Sequence, residues 1–269
     1  SLLACHGDFD RYCLAPEKVT AIVRMHQGPQ NTIGQALYSN WPYDTGIGAA
    51  NWQRWKIQSA VRVWQNKPAS TILGAAALAN IYSTPPVSTG STPSGLEAFL
   101  LNFDFDQDTL KIYASNRRYA ESALAIMDSP HVNSPTLSAF QQNGGKMLIF
   151  HGNSDPMFSV QATLAWYQRL KVNQQGKIDQ LVRLYRVPGL AHGDGGMSLG
   201  RFDTLSPLIK WVEKQQAPNR IMATAGTYNP EVTPQMASLQ RPLCPYPTTA
   251  IYRQGDVRLG SSFACLKEP

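Results

Sequence analysis

The second half of the chain alternates short apolar runs with longer segments whose apolar residues recur at helical spacing. The apolar runs cover residues 146–150 and 181–187, and the helical segments cover residues 162–171 and 205–214. Short runs that are mostly apolar are typical of strands buried on both faces. Buried strands that alternate with helices predict a parallel sheet covered by helices. Residues 133–269 therefore predict an α/β fold.

The first half of the chain lacks this alternation. Residues 14–28 carry a helix signature, with Pro and Glu in the first turn and Gly-Pro at the end. A second helix is predicted over residues 49–64, where a stripe of Trp, Ile and Val favours core packing over a ligand shelf. Residues 83–95 are so rich in Ser, Thr, Pro and Gly that they predict a surface loop. We interpret residues 1–132 as a separate, mostly helical and irregular module.

Composition and charge exclude several classes of partner. Of the 269 residues, 43% are hydrophobic, which is ample for a core. The net charge is +6, but the Lys and Arg residues are dispersed, with Arg117 and Arg118 as the densest pair. Nucleic-acid binding usually requires a basic stripe or a known module, and no run approaches the roughly 18 apolar residues of a membrane span. We expect neither a nucleic-acid nor a membrane partner.

The four cysteines lie at the two ends of the chain. Cys5 and Cys13 frame a short loop, and Cys244 and Cys265 frame a segment rich in Pro and Tyr. Neither pair has the spacing of a zinc site, so two local disulfides are predicted. Disulfides persist in oxidising compartments, which indicates a secreted or periplasmic protein. Because Ser1 is neither an initiator Met nor followed by signal-peptide features, we expect sequence to precede it.

Asp155 and His192 are the candidate acid and base of a serine hydrolase. Each follows a predicted strand and lies in a Gly-containing loop, and in open α/β sheets the chemistry collects at the carboxyl ends of the strands. Their separation of 37 residues accommodates one loop, one helix and one strand, so neighbouring strands would carry them. The alternatives are that Asp155 caps a helix and that His192 is an ordinary loop residue.

A nucleophile is harder to find. The G-x-S-x-G sequence at residues 196–200 contains Ser198, but a nucleophile elbow is a tight turn between a strand and a helix. Here the motif follows a Gly-rich loop four residues after His192, and the order acid, base, nucleophile differs from that of α/β-hydrolases. We interpret the motif as a chance match. Upstream of Asp155, no strand-turn-helix unit offers a nucleophile.

The sequence assembles no metal site. Asp104, Asp106 and Asp108 alternate as in a calcium loop, but Thr109 and Ser115 occupy the positions where an EF-hand needs Gly and Glu. An exposed acidic turn is the favoured interpretation. The remaining histidines are isolated or are expected to make structural hydrogen bonds: His6, His26, His131 and His151.

A set of short segments distinguishes the chain further, most densely over residues 137–247. They are residues 137–140, 144–146, 151–152, 155–156, 182–184, 188–189, 192, 202–203, 211–213, 217–218 and 241–247, with 13–14 and 28–29 near the start. In these segments the chain resembles the tannase and feruloyl esterase family, which also contains hydrolases of mono-(2-hydroxyethyl) terephthalate. Each segment alone is weak, but the combination is specific.

The resemblance implies an α/β-hydrolase with a large lid inserted between the nucleophile and the acid. It assigns Asp155 and His192 to the triad. Independently of the resemblance, Phe158 lies three residues beyond Asp155, and we expect it to line the acyl pocket because the loop after that strand faces the site. The resemblance further implies that the Ser nucleophile, its oxyanion-hole partner and a structural calcium loop precede Ser1. The chain departs from the family at Gly193, where members usually carry a Cys that is bonded to the Cys beside the nucleophile.

From these observations we expect the C-terminal part of a secreted serine carboxylesterase that hydrolyses esters of hydroxycinnamic, gallic or related aromatic acids. Its partners would be a small aromatic ester and the upstream half of the same protein. No cofactor is expected in this chain, and the chain alone would be inactive. The alternative is a non-catalytic binding or structural module with a relict hydrolase site.

Overall fold

The computed structural model describes residues 4–5, 13–128, 132–226 and 228–267. His6 and His131 lie outside these residues. The helices are α1 (Pro16–Gln27), α2 (Ala50–Lys56), α3 (Ala75–Asn80), α4 (Pro93–Leu101), α5 (Leu110–Tyr113), α6 (Ala123–Met127), α7 (Ser138–Gln142), α8 (Val160–Asn173), α9 (Leu205–Lys214) and α10 (Pro234–Ala237). The strands are β1 (Met147–Gly152), β2 (Val182–Val187), β3 (Arg201–Phe202), β4 (Ile221–Thr224), β5 (Gln240–Leu243), β6 (Thr248–Tyr252) and β7 (Phe263–Lys267).

The parallel pair β1 and β2 forms the centre of the α/β part. The two strands pair in register from Met147 opposite Val182 to Gly152 opposite Val187. Helix α8 runs between them in sequence and packs on them through a core cluster: Val160, Leu164, Tyr167, Leu170, Ile178, Leu181, Val182 and Leu184. Both predicted strands and the helix that connects them are confirmed. α9 has the predicted bounds, and its Trp211 is fully buried.

Two antiparallel sheets complete the C-terminal part. One has the strand order β3-β4-β5 and the other pairs β6 with β7. A disulfide joins Cys244, directly after β5, to Cys265 in β7, and a second joins Cys5 to Cys13. Both predicted pairings are present. The antiparallel strands were not predicted, because residues 218–267 alternate Pro, Gly and polar residues with apolar runs too short to indicate a strand.

The N-terminal part is built from short helices, turns and bends. α1 confirms the first predicted helix: it starts at Pro16 and ends at Gly28, whose φ of 79° suits glycine. The predicted helix over 49–64 is wrong beyond Lys56. There the hydroxyl of Ser59 accepts a hydrogen bond from the backbone N–H of Val61 at 3.2 Å, and such local bonds compete with helix continuation. Residues Arg62–Trp64 form only a 3-10 turn.

The predicted surface loop over 83–95 is wrong in part. Ser83 and Thr84 are buried, and the hydroxyl of Ser83 donates to the carbonyl of Leu78 at 2.8 Å. At the other end, the side chain of Thr92 accepts a hydrogen bond from the backbone N–H of Gly95 and caps α4. The side chains of Ser83 and Thr92, whose residue types predicted a loop, form hydrogen bonds with backbone groups. Such bonds allow a polar side chain to be buried or to cap a helix.

None of the helices in the described part of the chain is both long and apolar enough to cross a bilayer.

Candidate active site

Asp155 lies in the turn after β1 and is held there by its own backbone. It is only 6% exposed, and its Oδ1 accepts hydrogen bonds from the N–H groups of Met157 at 2.7 Å and Phe158 at 2.9 Å. An Asp that accepts from residues two and three positions later closes a local turn. The turn fixes the carboxylate and leaves Oδ2 to face the neighbouring loop.

His192 lies in the loop after β2, and the structure brings it onto this free oxygen. Its Nδ1 is 3.0 Å from Oδ2 of Asp155. Because a carboxylate oxygen can only accept, Nδ1 carries the proton and Nε2 presents its lone pair. The side chain of His192 is 31% exposed, against 8% for that of Asp155. The buried carboxylate of Asp155 therefore orients the imidazole of His192, which is partly exposed.

Glycines allow the two loops to approach closely. A Cβ on Gly152 would collide with the carbonyl oxygen of Leu190, and one on Gly196 would collide with that of Gly189. The backbone N–H of Ser154 donates to the carbonyl of Leu190 at 3.1 Å. Gly189 also has a φ of 73°, in the left-handed region. Gly152, the last residue of β1, thus lets the loop that carries Asp155 approach the loop that carries His192, while Gly189 and Gly196 let the latter loop fold closely onto itself.

Burial and hydrogen bonding act in opposite directions on Asp155. Burial raises the pKa of this carboxyl, while the nearby ring of His151 and hydrogen bonds from His192 and from the backbone N–H groups of Phe158 and Met157 lower it. The hydrogen bonds prevail, so the pKa of Asp155 lies below its ordinary value of 3.8. The carboxylate is therefore ionised at neutral pH, as an orienting acid requires.

His151 braces the acid turn from the other side. Its Nε2 lies 3.0 Å from the carbonyl oxygen of Phe158 and 3.6 Å from Oδ2 of Asp155, and its Nδ1 lies 2.8 Å from the hydroxyl of Thr163. Because the carbonyl can only accept, Nε2 carries the proton. The structural hydrogen bonds expected for His151 are thus present, and they fix the segment that carries both the acid and Phe158.

Two aromatic side chains flank the imidazole. The ring of Phe158 is 53% exposed and lies 5.4 Å from that of His192. The ring of Trp55, from α2, is buried and meets His192 edge-on at 5.1 Å. The sequence placed Trp55 in a core stripe, which its burial supports, but did not indicate its contact with His192. Periodicity reports which face of a helix is buried and not what covers it.

The hydroxyls near the pair are bonded elsewhere. Ser198 is 2% exposed and donates to the carbonyl of Gly195 at 3.1 Å, which fits the interpretation of the G-x-S-x-G sequence as a chance match. Ser154 donates to Asp44, and Ser159 donates to the carbonyl of Asn40 and caps α8. Over the described ranges, no hydroxyl is hydrogen-bonded to Nε2 of His192.

Side chains from distant parts of the chain fasten the base loop. The amide of Asn51 donates to the carbonyl of His192 at 3.1 Å and to Asp194 at 3.0 Å. The carboxylate of Glu231 accepts from the N–H of Ala50 and the N–H of Gly196, both at 2.6 Å. These contacts tie the start of α2 to the loop that carries His192. The sequence contained no signal for them, because single contacts between residues distant in sequence leave no periodic pattern.

The alternating carboxylates fold as an acidic turn. Oδ1 of Asp104 accepts from the N–H groups of Asp106 at 2.8 Å and Gln107 at 3.1 Å, and Oδ2 of Asp108 accepts from the N–H of Asp104 at 2.9 Å. Backbone donors thus occupy oxygens that a cation would need. Among the described residues, no group of three or more His, Cys, Asp or Glu side chains could hold a metal ion.

Comparison with known proteins places this geometry in a family. The family model described as tannase and feruloyl esterase matches residues 1–266. The chain is 37% identical over 275 residues to the mono(2-hydroxyethyl) terephthalate hydrolase of Piscinibacter sakaiensis, with 99% of this chain and 44% of that protein covered. It is 28% identical over 269 residues to a probable feruloyl esterase of Arthroderma benhamiae, with 97% and 47% covered. The chain thus spans about half the length of these curated relatives.

Solved structures agree with this placement at the level of the fold. Feruloyl esterase B from Aspergillus oryzae superposes with a TM-score of 0.59 at 16% identity, over 98% of this chain and 49% of that one. A tannin acyl hydrolase from Aspergillus niger gives a TM-score of 0.62 at 16% identity, over 95% and 43%. The predicted fold class, part of an α/β-hydrolase with helical and irregular additions, is confirmed.

Proposed function

The chain belongs to the tannase and feruloyl esterase family, and from that premise we propose that it supplies the acid and the base of a serine carboxylesterase acting on esters of aromatic acids. The observation that carries the proposal is the hydrogen bond of 3.0 Å between Nδ1 of His192 and Oδ2 of Asp155. The two residues follow neighbouring parallel strands, where α/β-hydrolases place this pair.

In this proposal each group has a step in ester hydrolysis. Nε2 of His192 takes the proton of the attacking hydroxyl as that oxygen bonds to the ester carbonyl. Asp155 stabilises the resulting imidazolium, which then gives its proton to the leaving alcohol. A water molecule, deprotonated by the same nitrogen, releases the acid and restores the hydroxyl. Asp155 keeps its charge throughout, as its lowered pKa favours.

The nucleophile, in this proposal, belongs to a part of the protein outside this chain. Three observations support that view. The hydroxyls near the pair are bonded elsewhere, and the chain spans 44% and 47% of two relatives. Within the described residues, β1 pairs only with β2, so its other edge is open to a further strand. The open edge could receive the strand that precedes a nucleophile elbow.

The aromatic side chains favour an aromatic acyl group. Phe158 exposes about half of its surface beside the imidazole, and aromatic rings bind each other edge-on or offset. Esters of hydroxycinnamic, gallic or related acids place such a ring next to the reacting carbonyl. The two disulfides favour a secreted or periplasmic location, because the cytosol keeps thiols reduced.

A second candidate function is a non-catalytic binding module with a relict site. The observation in its favour is that, in the part of the chain that the structure describes, Nε2 of His192 has no hydroxyl to activate. In such a module the exposed ring of Phe158 would bind an aromatic ligand without turnover.

Methyl ferulate hydrolysis by the full-length protein distinguishes the two functions. Asp155→Asn tests the acid. Asp203→Asn is its matched control, because exposed Asp203 accepts hydrogen bonds from the N–H groups of Leu205 and Ser206 at the start of α9, and the carbonyl oxygen of Asn accepts such bonds as well. Turnover that is lost in Asp155→Asn and kept in Asp203→Asn supports the esterase. A wild-type protein that binds ferulate but hydrolyses neither methyl ferulate nor methyl gallate supports the relict module.

A further inference from the structure

Asp44, from the N-terminal part, lies between the loop that carries Asp155 and the loop that carries His192. One oxygen makes both contacts: Oδ2 of Asp44 accepts from the hydroxyl of Ser154 at 2.7 Å and from the backbone N–H of Gly189 at 2.8 Å. Ser154 directly precedes Asp155, and Gly189 lies three residues before His192. A single atom therefore links the acid loop to the base loop.

Gly46 completes this junction. Its backbone N–H donates to the hydroxyl of Ser154 at 3.0 Å, so that hydroxyl donates one hydrogen bond and accepts another. Gly46 is buried, and a Cβ at this position would collide with the side chain of Ser154 and lie 3.0 Å from the carbonyl oxygen of Gly189. The fit leaves no space for a larger residue between the two loops.

We propose that Asp44 is a positioning residue for the acid and base pair, an inference that rests on the proposed roles of Asp155 and His192. Asp44 makes no hydrogen bond to either of their side chains. It sets the spacing of the two loops, so that Nδ1 of His192 stays within hydrogen-bond distance of Oδ2 of Asp155. Misplacement of reacting groups by about 1 Å can cost on the order of 10²-fold in rate, so such a residue affects turnover without contacting substrate.

The shared acceptor atom suggests a sharp pair of variants. Because both hydrogen bonds end on Oδ2, the carbonyl oxygen of Asn at position 44 can accept both through its two lone pairs. No donor among the described residues bonds to Oδ1 of Asp44, so an amide NH₂ there meets no opposing N–H. Asp44→Asn removes the charge and keeps the link, whereas Asp44→Ala removes both.

The test uses the full-length protein and two readouts. The first is kcat and KM for methyl ferulate. The second is the NMR signal of the His192 Nδ1 proton, which is protected from exchange while it is bonded to Asp155. We expect Asp44→Ala to lower kcat about 10- to 100-fold, with KM changed less than about 3-fold, and to weaken the proton signal. Asp44→Asn should keep both readouts near wild type.

Further variants keep the test decisive. If Asp44→Ala does not fold, Ser154→Ala removes one of the two links and should give an intermediate loss of kcat. If the wild-type protein has no esterase activity, the proposed function fails, but the Nδ1 proton still reports whether Asp44 positions His192. The inference is overturned if Asp44→Ala keeps wild-type kcat and proton signal, or if Asp44→Asn is as impaired as Asp44→Ala.

Discussion

The acid and base pair and the N-terminal residues that contact it are held in place by different kinds of structure. Asp155 and His192 follow two strands that pair in register over six residues, so regular hydrogen bonding brings them together. Asp44, Asn51 and Trp55 come from a segment of short turns and a helix of seven residues. The paired strands bring the loops of Asp155 and His192 to the same edge of the sheet, and individual side-chain contacts from the N-terminal segment fasten those loops.

This difference predicts how each side responds to substitution. Removing the side chain of Asp155 or His192 should abolish chemistry while the fold persists, because the pairing of β1 with β2 does not depend on those side chains. Removing the side chain of Asp44, Asn51 or Trp55 should have smaller effects on catalysis, by altering the geometry of the pair, the free energy of unfolding or substrate binding. The predictions below test that ranking, from the largest effect to the smallest.

The largest effect is expected for the base. His192→Ala in the full-length protein should lower kcat for methyl ferulate by on the order of 10⁴-fold, because an oxyanion hole and substrate binding alone supply what remains. Thermal unfolding should change little, since the side chain of His192 is partly exposed. A loss of less than 10-fold would remove His192 from the mechanism.

The two aromatic side chains beside His192 should separate binding from stability. Trp55→Ala should destabilise the protein by about 3–5 kcal/mol, the usual cost of deleting a buried aromatic residue. Phe158→Ala should stay within about 0.5 kcal/mol of wild type, because the ring is half exposed, and should lower kcat/KM for aromatic esters about 10-fold. Denaturant unfolding and ester kinetics measure both. Equal stability losses would contradict the view that Trp55 packs in the core while Phe158 lines the site.

The two disulfides give a comparison of the chain ends. Cys244 and Cys265 are separated by 21 residues, and Cys5 and Cys13 by 8. A longer closed loop restricts the unfolded chain more. Replacing Cys244 and Cys265 by Ser should therefore cost about 3 kcal/mol of unfolding free energy, and the same change at Cys5 and Cys13 about 1 kcal/mol less. Equal losses would show that strain or packing outweighs chain entropy.

From the sequence we predicted that Asp155 and His192 lie together at the ends of neighbouring strands, and their side chains are 3.0 Å apart. Apolar runs indicated β1 and β2, and the residues after them indicated Asp155 and His192, because the strand end and its loop are local in sequence. The sequence-based prediction failed for the helix over 49–64, where buried Ser59 hydrogen-bonds to the backbone of Val61. It also missed Asp44, which reaches Gly189 across 145 residues. Such a contact depends on the completed fold, and composition and periodicity do not report it.

A smaller effect concerns acid stability. The pKa of Asp155 in the folded protein lies below 3.8, so this carboxylate contributes stability that is fully present above its unfolded pKa and is lost as pH falls through the folded value. Asp155→Asn should flatten the dependence of unfolding free energy on pH below about 4. Asp179→Asn serves as a control for the same charge change, because Asp179 is exposed and its carboxylate accepts no hydrogen bond from the described residues. If the unfolding free energy of Asp155→Asn depends on pH as in the wild type, the interactions of the Asp155 carboxylate do not stabilise the folded protein.

The most direct test of the account is covalent labelling of the full-length protein with a fluorophosphonate, which reacts with activated serines. We expect the label on a serine outside the 269 residues of this chain. The labelling rate should fall on the order of 10³-fold or more in His192→Ala and should be unchanged in Ser198→Ala. Label on Ser198, or a His192→Ala variant that is labelled at the wild-type rate, would contradict the claim that this chain supplies the acid and base for a nucleophile located elsewhere.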